Sequence, residues 1–326
     1  MKIAFFDTKP YDEQTFSKFL PKDFSVKFYE AKLCPDTVSL ACGADAVCVF
    51  VNDKIDKETI DGLVKCGVKL IALRCAGFNN VDMKYACGKI TVVRVPYYSP
   101  YAVAEHAIAM LLTAVRHIHK AYIRTKSFNF SLTGLCGFDL YGKTVGVIGT
   151  GNIGRIFAGI CKGFGMKVLA YDKYPSPSAD VDYTDLETLF KESDIISLHC
   201  PLTEETHHII DKEKIDMMKK GVIIVNTSRG ALIDSEALLN GIRNKKIGGA
   251  CLDVYEEEED LFFEDNSENI IKDETLALLI AMPNVIVTSH QAFFTEEALD
   301  NIAKTTVENI QEVLSGKECK NAISCK

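Results

Sequence analysis

The chain has 326 residues, 47% hydrophobic and 25% charged, a balance that suits a globular protein of two ordinary domains, each with its own core. Its formal net charge of −8 opposes nucleic-acid backbones and no long basic cluster offsets it, so nucleic acid is excluded as a partner. No apolar run approaches the roughly 20 residues that span a bilayer, and the start, "MKIAFFDTKPYDEQ", reads as no signal peptide, so no membrane partner and a cytoplasmic location are expected.

In chain order, the first hundred residues alternate short β-rich runs with helical patterns. The strand candidates are "KIAFFD", "SVKFYE", "AVCVF", "KLIALR" and "ITVVRV", with stretches such as "KETIDGLVKCG" between them. That alternation predicts a parallel sheet with helical crossovers. "VPYYSPY" then breaks the pattern, with Ser99 as a helix cap and Pro100 in the first turn. A single long helix is predicted over "YAVAEHAIAMLLTAVRHIHKAYIRTKS", its first half buried and its second half emerging at Arg116, His117, His119 and Lys120.

A second alternation starts at residue 143, with "KTVGVIG", "MKVLAYD", "IISLHC", "GVIIVNTS", "GACLDV" and "NVIVTSH" as continuous apolar runs, the mark of strands covered on both faces. Six such strands predict a dinucleotide-binding sheet. The last helical pattern, with Leu299, Ile302, Ala303, Thr306, Ile310 and Val313 on one face, is left over and is expected to return to the first domain. The fold class is therefore α/β. A Rossmann-type doubly wound domain, residues 99–293, is inserted in a flavodoxin-like domain made of residues 1–98 and 294–326.

The twelve cysteines are scattered, form no CxxC and sit mostly in apolar runs. They are expected to be small buried hydrophobes in a reducing compartment rather than a disulfide framework. No metal site is expected, because clustered ligands are absent.

The stretch "VGVIGTGNIGR" carries the first chemistry. Gly149 permits a tight turn after a strand, Gly151 lets backbone approach a pyrophosphate, and Gly154 lets helix and strand pack closely. The helix N-terminus then faces the phosphates. Asp172 ends the next strand, 23 residues after Gly149, and suits the adenosine ribose hydroxyls. Its charge opposes a 2′-phosphate, so the expected cofactor is NAD rather than NADP.

A bound nicotinamide implies a substrate. Hydride transfer to a 2-oxo acid needs a cation for the carboxylate, an acid for the nascent alkoxide, and a group that tunes the acid. Of the seven histidines, His117 and His119 read as helix-surface residues, and His207 and His208 lie in a polar segment. His106 falls on the buried-looking helix and His199 near a strand end. His290 ends "VIVTSH" at the carboxyl edge of a parallel sheet, where open α/β sheets bind ligands. Arg229 also follows a strand end, but the residues alone equally suit a structural salt bridge there. Glu258 stands in "YEEEED", most of which reads as a solvated acidic face.

Together "GTGNIGR", "CPLT", "NTSRGALID", "LDVYEEE" and "SHQAF" resemble the D-isomer-specific 2-hydroxyacid dehydrogenases. "AVCVFVND", "ALRCAGFNNVD" and "RVPYYSPYAVAEHA" narrow the likeness to the fermentative, D-lactate-forming members. The resemblance implies NADH-dependent reduction of pyruvate, a short 2-oxo acid, in a cleft between the domains, with hinges near residues 97–100 and 292–296. It implies that Arg229 clamps the carboxylate, that His290 donates the proton and that Glu258 is its partner. Asp253 would lie near the nicotinamide, and Asn152, Ile153, Cys200, Pro201, Thr206, Thr227 and Ser228 would border the cofactor. Ala76 and Gly77 would offer backbone N–H groups to the carboxylate, and Phe50, Tyr98 and Phe293 would wall the pocket. A homodimer or higher homo-oligomer through the cofactor domains is implied as well. The alternatives are another short D-2-hydroxy acid as substrate, or a dinucleotide-sensing, corepressor-like binding protein.

Overall fold

The computed structural model describes residues 1–176, 180–258 and 261–324. The chain divides into two compact units, Met1–Ser99 with Phe294–Lys326, and Pro100–Phe293.

The first unit contains β1 (Lys2–Phe5), α1 (Pro10–Phe16), β2 (Ser25–Phe28), β3 (Ala46–Val49), α2 (Lys57–Lys65), β4 (Leu70–Leu73), α3 (Met83–Ala86) and β5 (Thr91–Val93). All pairs are parallel and the order is β2-β1-β3-β4-β5, the flavodoxin-like arrangement. Every residue of β3 and β4 is buried, as continuous Val/Ile/Leu-rich runs require in a sheet covered on both faces. Edge strand β2 alternates half-buried and exposed positions. Asp56 caps α2 by accepting from Thr59 N–H.

Three cysteines depart from the expected free thiols: Cys42, Cys66 and Cys87 are disulfide-bonded. Cys42 follows the 3₁₀ turn Val38–Ala41, Cys66 closes α2, and the two are joined in a disulfide. The turn packs on α2, where Gly62 leaves room for the Val38 side chain, and this brings the Cα atoms to 4.4 Å. A separation of 24 residues held no sign of that proximity. Cys48, Cys75, Cys161, Cys251 and Cys319 are buried thiols. Burial pushes Cys48, Cys161 and Cys251 up to about 12.

The second unit contains α4 (Pro100–Arg116), α5 (Ile118–Lys126), β6 (Thr144–Ile148), α6 (Asn152–Gly163), β7 (Lys167–Tyr171), β8 (Asp182–Tyr183), α7 (Leu186–Glu192), β9 (Ile195–Leu198), α8 (Lys212–Met217), β10 (Val222–Asn226), α9 (Ser235–Arg243), β11 (Ile247–Leu252), α10 (Glu274–Ala281) and β12 (Val285–Val287). Its order is β12-β11-β10-β9-β6-β7-β8 and all pairs are parallel. This is the doubly wound topology, with strand order reversing between β6 and β9. The sheet has seven strands rather than the six expected, because β8 is a two-residue edge strand too short to leave a pattern. One apolar core fills each face, one under α4 and α6 and the other under α7 to α10.

The long helix expected over 101–127 is broken. His117 adopts φ 51°, which ends α4 and restarts the chain as α5. The loop after α5 passes so close that a Cβ on Gly137 would lie 1.9 Å from the Val115 carbonyl oxygen. α5 buries no residue, whereas α4 buries Ala104, Ala107, Ile108, Met110, Leu111 and Val115.

After the second unit the chain forms α11 (Glu296–Leu314), capped by Thr295, and packs in the first unit on β4 and α1. Its buried face is Ala298, Ile302, Ala303, Thr306, Val307, Asn309 and Ile310, with Leu299 and Val313 half-buried at its margin. The tail then pairs with β5: Ile323 N–H donates to Val92 C=O at 2.9 Å, and Ala322 bridges Val93 antiparallel. This covers an otherwise open sheet edge.

Candidate active site

The candidate residues of the second unit stand at the carboxyl ends of neighbouring strands. Asp172 follows β7, Gly149 β6, Cys200 β9, Arg229 β10, Asp253 β11 and His290 β12. Parallel strands aim these ends at one edge, and the crevice opens where the order reverses.

At the β6 end, Gly149 has φ 96°, and a Cβ there would lie 2.6 Å from His199 carbonyl and Cys200 amide atoms. A Cβ on Gly154 would lie 2.0 Å from Gly149 O, so helix and loop touch backbone to backbone. A Cβ on Gly151 would meet nothing within 4 Å, which leaves an open cradle above the first turn of α6. There the amides of Asn152 and Ile153 have no intrahelical acceptor. Beside this cradle lies a cavity of about 1040 Å³, lined by Gly149, Gly151, Asp172, Cys200, Pro201 and Thr206 among others. Thr206 Oγ1 shapes its rim by donating to Pro201 C=O at 2.7 Å and accepting from Thr203 N–H at 2.8 Å. Asn152, Ile153, Gly154, Thr227, Ser228 and Asp253 are not among its lining residues.

The Asp172 carboxylate accepts from Thr150 N–H at 2.6 Å, Thr150 Oγ1 at 2.9 Å and Tyr174 N–H at 2.8 Å. Partial burial would raise its carboxyl, but these hydrogen bonds outweigh it and hold the group below the usual carboxylate range. An anion is thus fixed on the cavity wall. The open glycine, the free helix amides and this carboxylate fit a dinucleotide.

The β10, β11 and β12 ends are tied together. Asn226 is buried; its side-chain amide donates to Arg229 C=O at 2.8 Å and its Oδ1 accepts from Ser228 N–H at 3.0 Å. Ser228 Oγ donates to Leu198 C=O on β9 at 2.8 Å. Thr227 Oγ1 is buried without a hydrogen-bond partner among the described residues. The Arg229 guanidinium donates to Ser228 C=O at 2.6 Å and is half-buried. The next residue, Gly230, meets the following loop so closely that a Cβ would lie 2.0 Å from the Tyr255 carbonyl carbon. Tyr255 N–H in turn donates to Glu258 Oε2 at 2.8 Å, and Glu258 Oε1 pairs with His290 Nδ1 at 2.7 Å. Of the acidic run only part is solvated. Glu256 pairs with His208 Nε2 at 2.7 Å, Phe262 is buried, Glu257 is exposed, and residues 259 and 260 lie outside the described residues.

Asp253 is the hub beneath His290. It is fully buried and accepts from Thr288 Oγ1 at 2.5 Å, Gln291 N–H at 2.9 Å and Ala292 N–H at 2.8 Å, while its backbone carbonyl accepts from His290 N–H at 2.7 Å. His106 Nε2 stands 3.3 Å from the same carboxylate. Burial alone would raise the Asp253 carboxyl, yet the hydrogen bonds from His106, Thr288 and Ala292 prevail and hold it low. This hub supports His290 in its left-handed conformation, φ 52°, which residues other than glycine seldom adopt. Phe293, at the end of this loop, is buried.

In the first unit, Phe50 is buried, with the Arg74 guanidinium over its ring at 4.8 Å. Its N–H donates to Asp53 Oδ2 at 2.6 Å and its C=O accepts from Asn80 at 2.8 Å. Ala76 and Gly77 are half-buried after β4, with their carbonyls engaged by Arg94 and Cys75. Tyr98 is half-buried and its C=O accepts from Asn301 at 2.9 Å.

Several contributors gave no usable signal in the sequence. His106 was visible only as a polar residue on an apolar helix, and Thr288 as part of a strand end; both meet Asp253 through tertiary packing alone. Phe263 sits with its ring 5.9 Å from that of His290, and the apolar pair Phe262–Phe263 inside an acidic stretch was the available hint. His199 is half-buried between Phe157 and Ser197 on the cavity wall, and desolvation lowers it to about 3.

A doubly wound sheet with this glycine turn and acidic strand end, carrying a histidine–carboxylate pair at the same edge, defines an NAD-dependent oxidoreductase. Residues 108–292 match the family model "D-isomer specific 2-hydroxyacid dehydrogenase, NAD binding domain". The chain is 52% identical to the D-lactate dehydrogenase of Escherichia coli strain K12, over 99% of this chain and 100% of that protein. A solved structure described as the pyruvate reductase of Chlamydomonas reinhardtii superposes with a TM-score of 0.95 at 44% identity, covering 98% of each chain. D-lactate dehydrogenase with NAD+ from Lactobacillus jensenii superposes with a TM-score of 0.84 at 32% identity, covering 100% of each. The chain belongs to the D-isomer specific 2-hydroxyacid dehydrogenases, and both the α/β fold and the NAD cofactor expected from the sequence are borne out.

Proposed function

We propose that the chain reduces pyruvate to D-lactate with NADH. The observation that carries this reading is the His290–Glu258 pair, 2.7 Å apart, on the loops after β12 and β11, at the same sheet edge as Arg229 after β10. The names of the relatives, D-lactate dehydrogenase and pyruvate reductase, supply the substrate. NADH, when bound along Gly151, the first turn of α6 and Asp172, supplies a hydride to the carbonyl carbon. Arg229 grips the substrate carboxylate with its planar fork, and the N–H groups of Ala76 and Gly77 are the first unit's candidate donors to substrate. Glu258 accepts the Nδ1 hydrogen bond, which orients the ring and leaves Nε2 to carry the transferable proton. His290 Nε2 gives that proton to the oxygen as the carbonyl C=O becomes the alcohol C–OH. In the reverse direction the same nitrogen takes it back. Asp253 keeps the His290 loop in place. Phe50 and Tyr98 of the first unit and Phe293 of the second are the apolar residues we assign to substrate recognition.

The test is NADH oxidation, followed by near-ultraviolet absorbance, with pyruvate, 2-oxobutyrate, hydroxypyruvate and longer 2-oxo acids. Fastest turnover with pyruvate is expected. Another short acid in first place would correct the substrate, and NADH binding without any turnover would favour a dinucleotide-sensing protein. No described helix is long and apolar enough to cross a membrane. We place the reaction in the cytoplasm, where the NADH pool is available. We also propose that the second unit carries a homodimer contact. Tyr122, Ile123, Phe128, Phe130, Leu132 and Tyr141 are all more than half exposed on or after α5, an apolar surface that a second copy would cover. Sedimentation at graded concentration tests this, and a monomer at all concentrations would refute it.

A further inference from the structure

The residue after Asp172 is a lysine. A cation there would offset the repulsion of a 2′-phosphate by Asp172 and leave the choice between NAD and NADP open. In the folded chain that lysine is occupied: Lys173 Nζ lies 2.5 Å from Glu205 Oε2, and both residues line the dinucleotide cavity. The second lysine on the cavity wall, Lys214, is likewise held by Asp211 at 3.1 Å. Five carboxylates line the cavity against these two lysines, so its wall is net acidic.

We propose that Glu205 is a specificity-determining residue for the dinucleotide: by holding the Lys173 ammonium it denies a 2′-phosphate the cation that would receive it. The inference rests on NAD occupying this cavity. Asp172, engaged by Thr150 and Tyr174, marks the ribose end, and a 2′-phosphate there would need a cation within reach. Lys173 is the cation adjacent in the chain, and it arrives already neutralised by a carboxylate from the loop after β9. The ion pair is more than half exposed, so it contributes little to stability. Its effect falls on the ligand instead. Glu205 adds like-charge repulsion against a phosphate dianion and competes with it for the ammonium. A ligand without the phosphate feels neither effect.

Calorimetric titration of the purified full-length protein with NADH and with NADPH, without substrate, tests this directly. Glu205→Gln keeps the shape and removes the charge. NADPH affinity is expected to rise about tenfold, equivalent to about 1.4 kcal/mol, while NADH affinity changes less than about twofold. The NADPH gain should shrink at high salt, where charges are screened. Adding Lys173→Met to Glu205→Gln should abolish it. An unchanged NADPH-to-NADH affinity ratio in Glu205→Gln would overturn the proposal, as would a gain that survives Lys173→Met. If wild-type protein fails to bind NADH, the dinucleotide reading falls together with it. If wild type binds NADH and the ratio does not move, only the role of Glu205 falls.

Discussion

Gly230→Ala adds one methyl group at the junction of the Arg229 and Glu258 loops. The added Cβ would lie 2.0 Å from the Tyr255 carbonyl carbon, 2.1 Å from its oxygen and 2.3 Å from Glu256 N. Carbon atoms in contact settle about 3.5–4.0 Å apart, so the two loops must separate by roughly 1.5 Å. The backbone conformation at Gly230 is not left-handed, so the obstacle is steric. One side of the junction carries Arg229. The other carries Tyr255 N–H, which holds Glu258, which in turn holds His290. A shift of about 1 Å in a reacting group costs about 100-fold, so kcat/KM for pyruvate should fall by at least that factor, about 2.7 kcal/mol in the barrier. Overpacking should also lower stability by about 1–3 kcal/mol. The dinucleotide cradle lies on other strand ends, so NADH affinity should stay within about threefold. The assay pairs steady-state kinetics with calorimetric NADH binding, and circular dichroism verifies folding. A folded Gly230→Ala protein with kcat/KM within about threefold of wild type would refute the idea that this backbone contact sets the spacing of Arg229 and the His290–Glu258 pair.

Three further outcomes are expected. Gly159 sits on the exposed side of α6 with open space around a Cβ. Gly159→Ala should therefore stabilise by about 0.5–1 kcal/mol and raise Tm by a few degrees in a thermal melt; an unchanged or lower Tm would contradict the open geometry. Asp253 is held below its unfolded value, so its contribution is present above the unfolded carboxyl range and is lost as pH falls through the folded value. Asp253→Asn should accordingly destabilise by about 2–4 kcal/mol near neutral pH, with the gap to wild type narrowing below about pH 4; urea titrations at both pH values check this, and a gap that widens in acid would reverse the sign. Arg229→Gln should lower kcat/KM for pyruvate about 100-fold or more with NADH affinity nearly intact, and a loss confined to NADH binding would instead place Arg229 on the cofactor.

The sequence by itself determined the class of architecture. Eleven of the strands were legible because a parallel strand covered on both faces is written as a continuous apolar run, whatever its neighbours are. The glycine turn was legible because the left-handed backbone at Gly149 and the contact of Gly154 with Gly149 O belong to one strand–turn–helix unit. Asp172 was legible because it closes the next strand of that unit. Two-residue β8 was invisible because it is too short for a pattern. The break at His117 was invisible because the helical periodicity continues through it, and a passing loop accompanies the break.

Charged side chains at the site were legible only as candidates. Glu258 stands among identical neighbours, and only the turn that brings it to Tyr255 N–H and His290 separates it from exposed Glu257. The His106–Thr288–Asp253 hub joins residues more than 100 positions apart in part, so no spacing rule reaches it. The Cys42–Cys66 bond and the Lys173–Glu205 pair are of the same kind. Periodicity and turn chemistry are properties of neighbouring residues, which a sequence records in order. Pairing between loops depends on which strand ends the sheet order sets side by side, and that is decided only when the chain has folded.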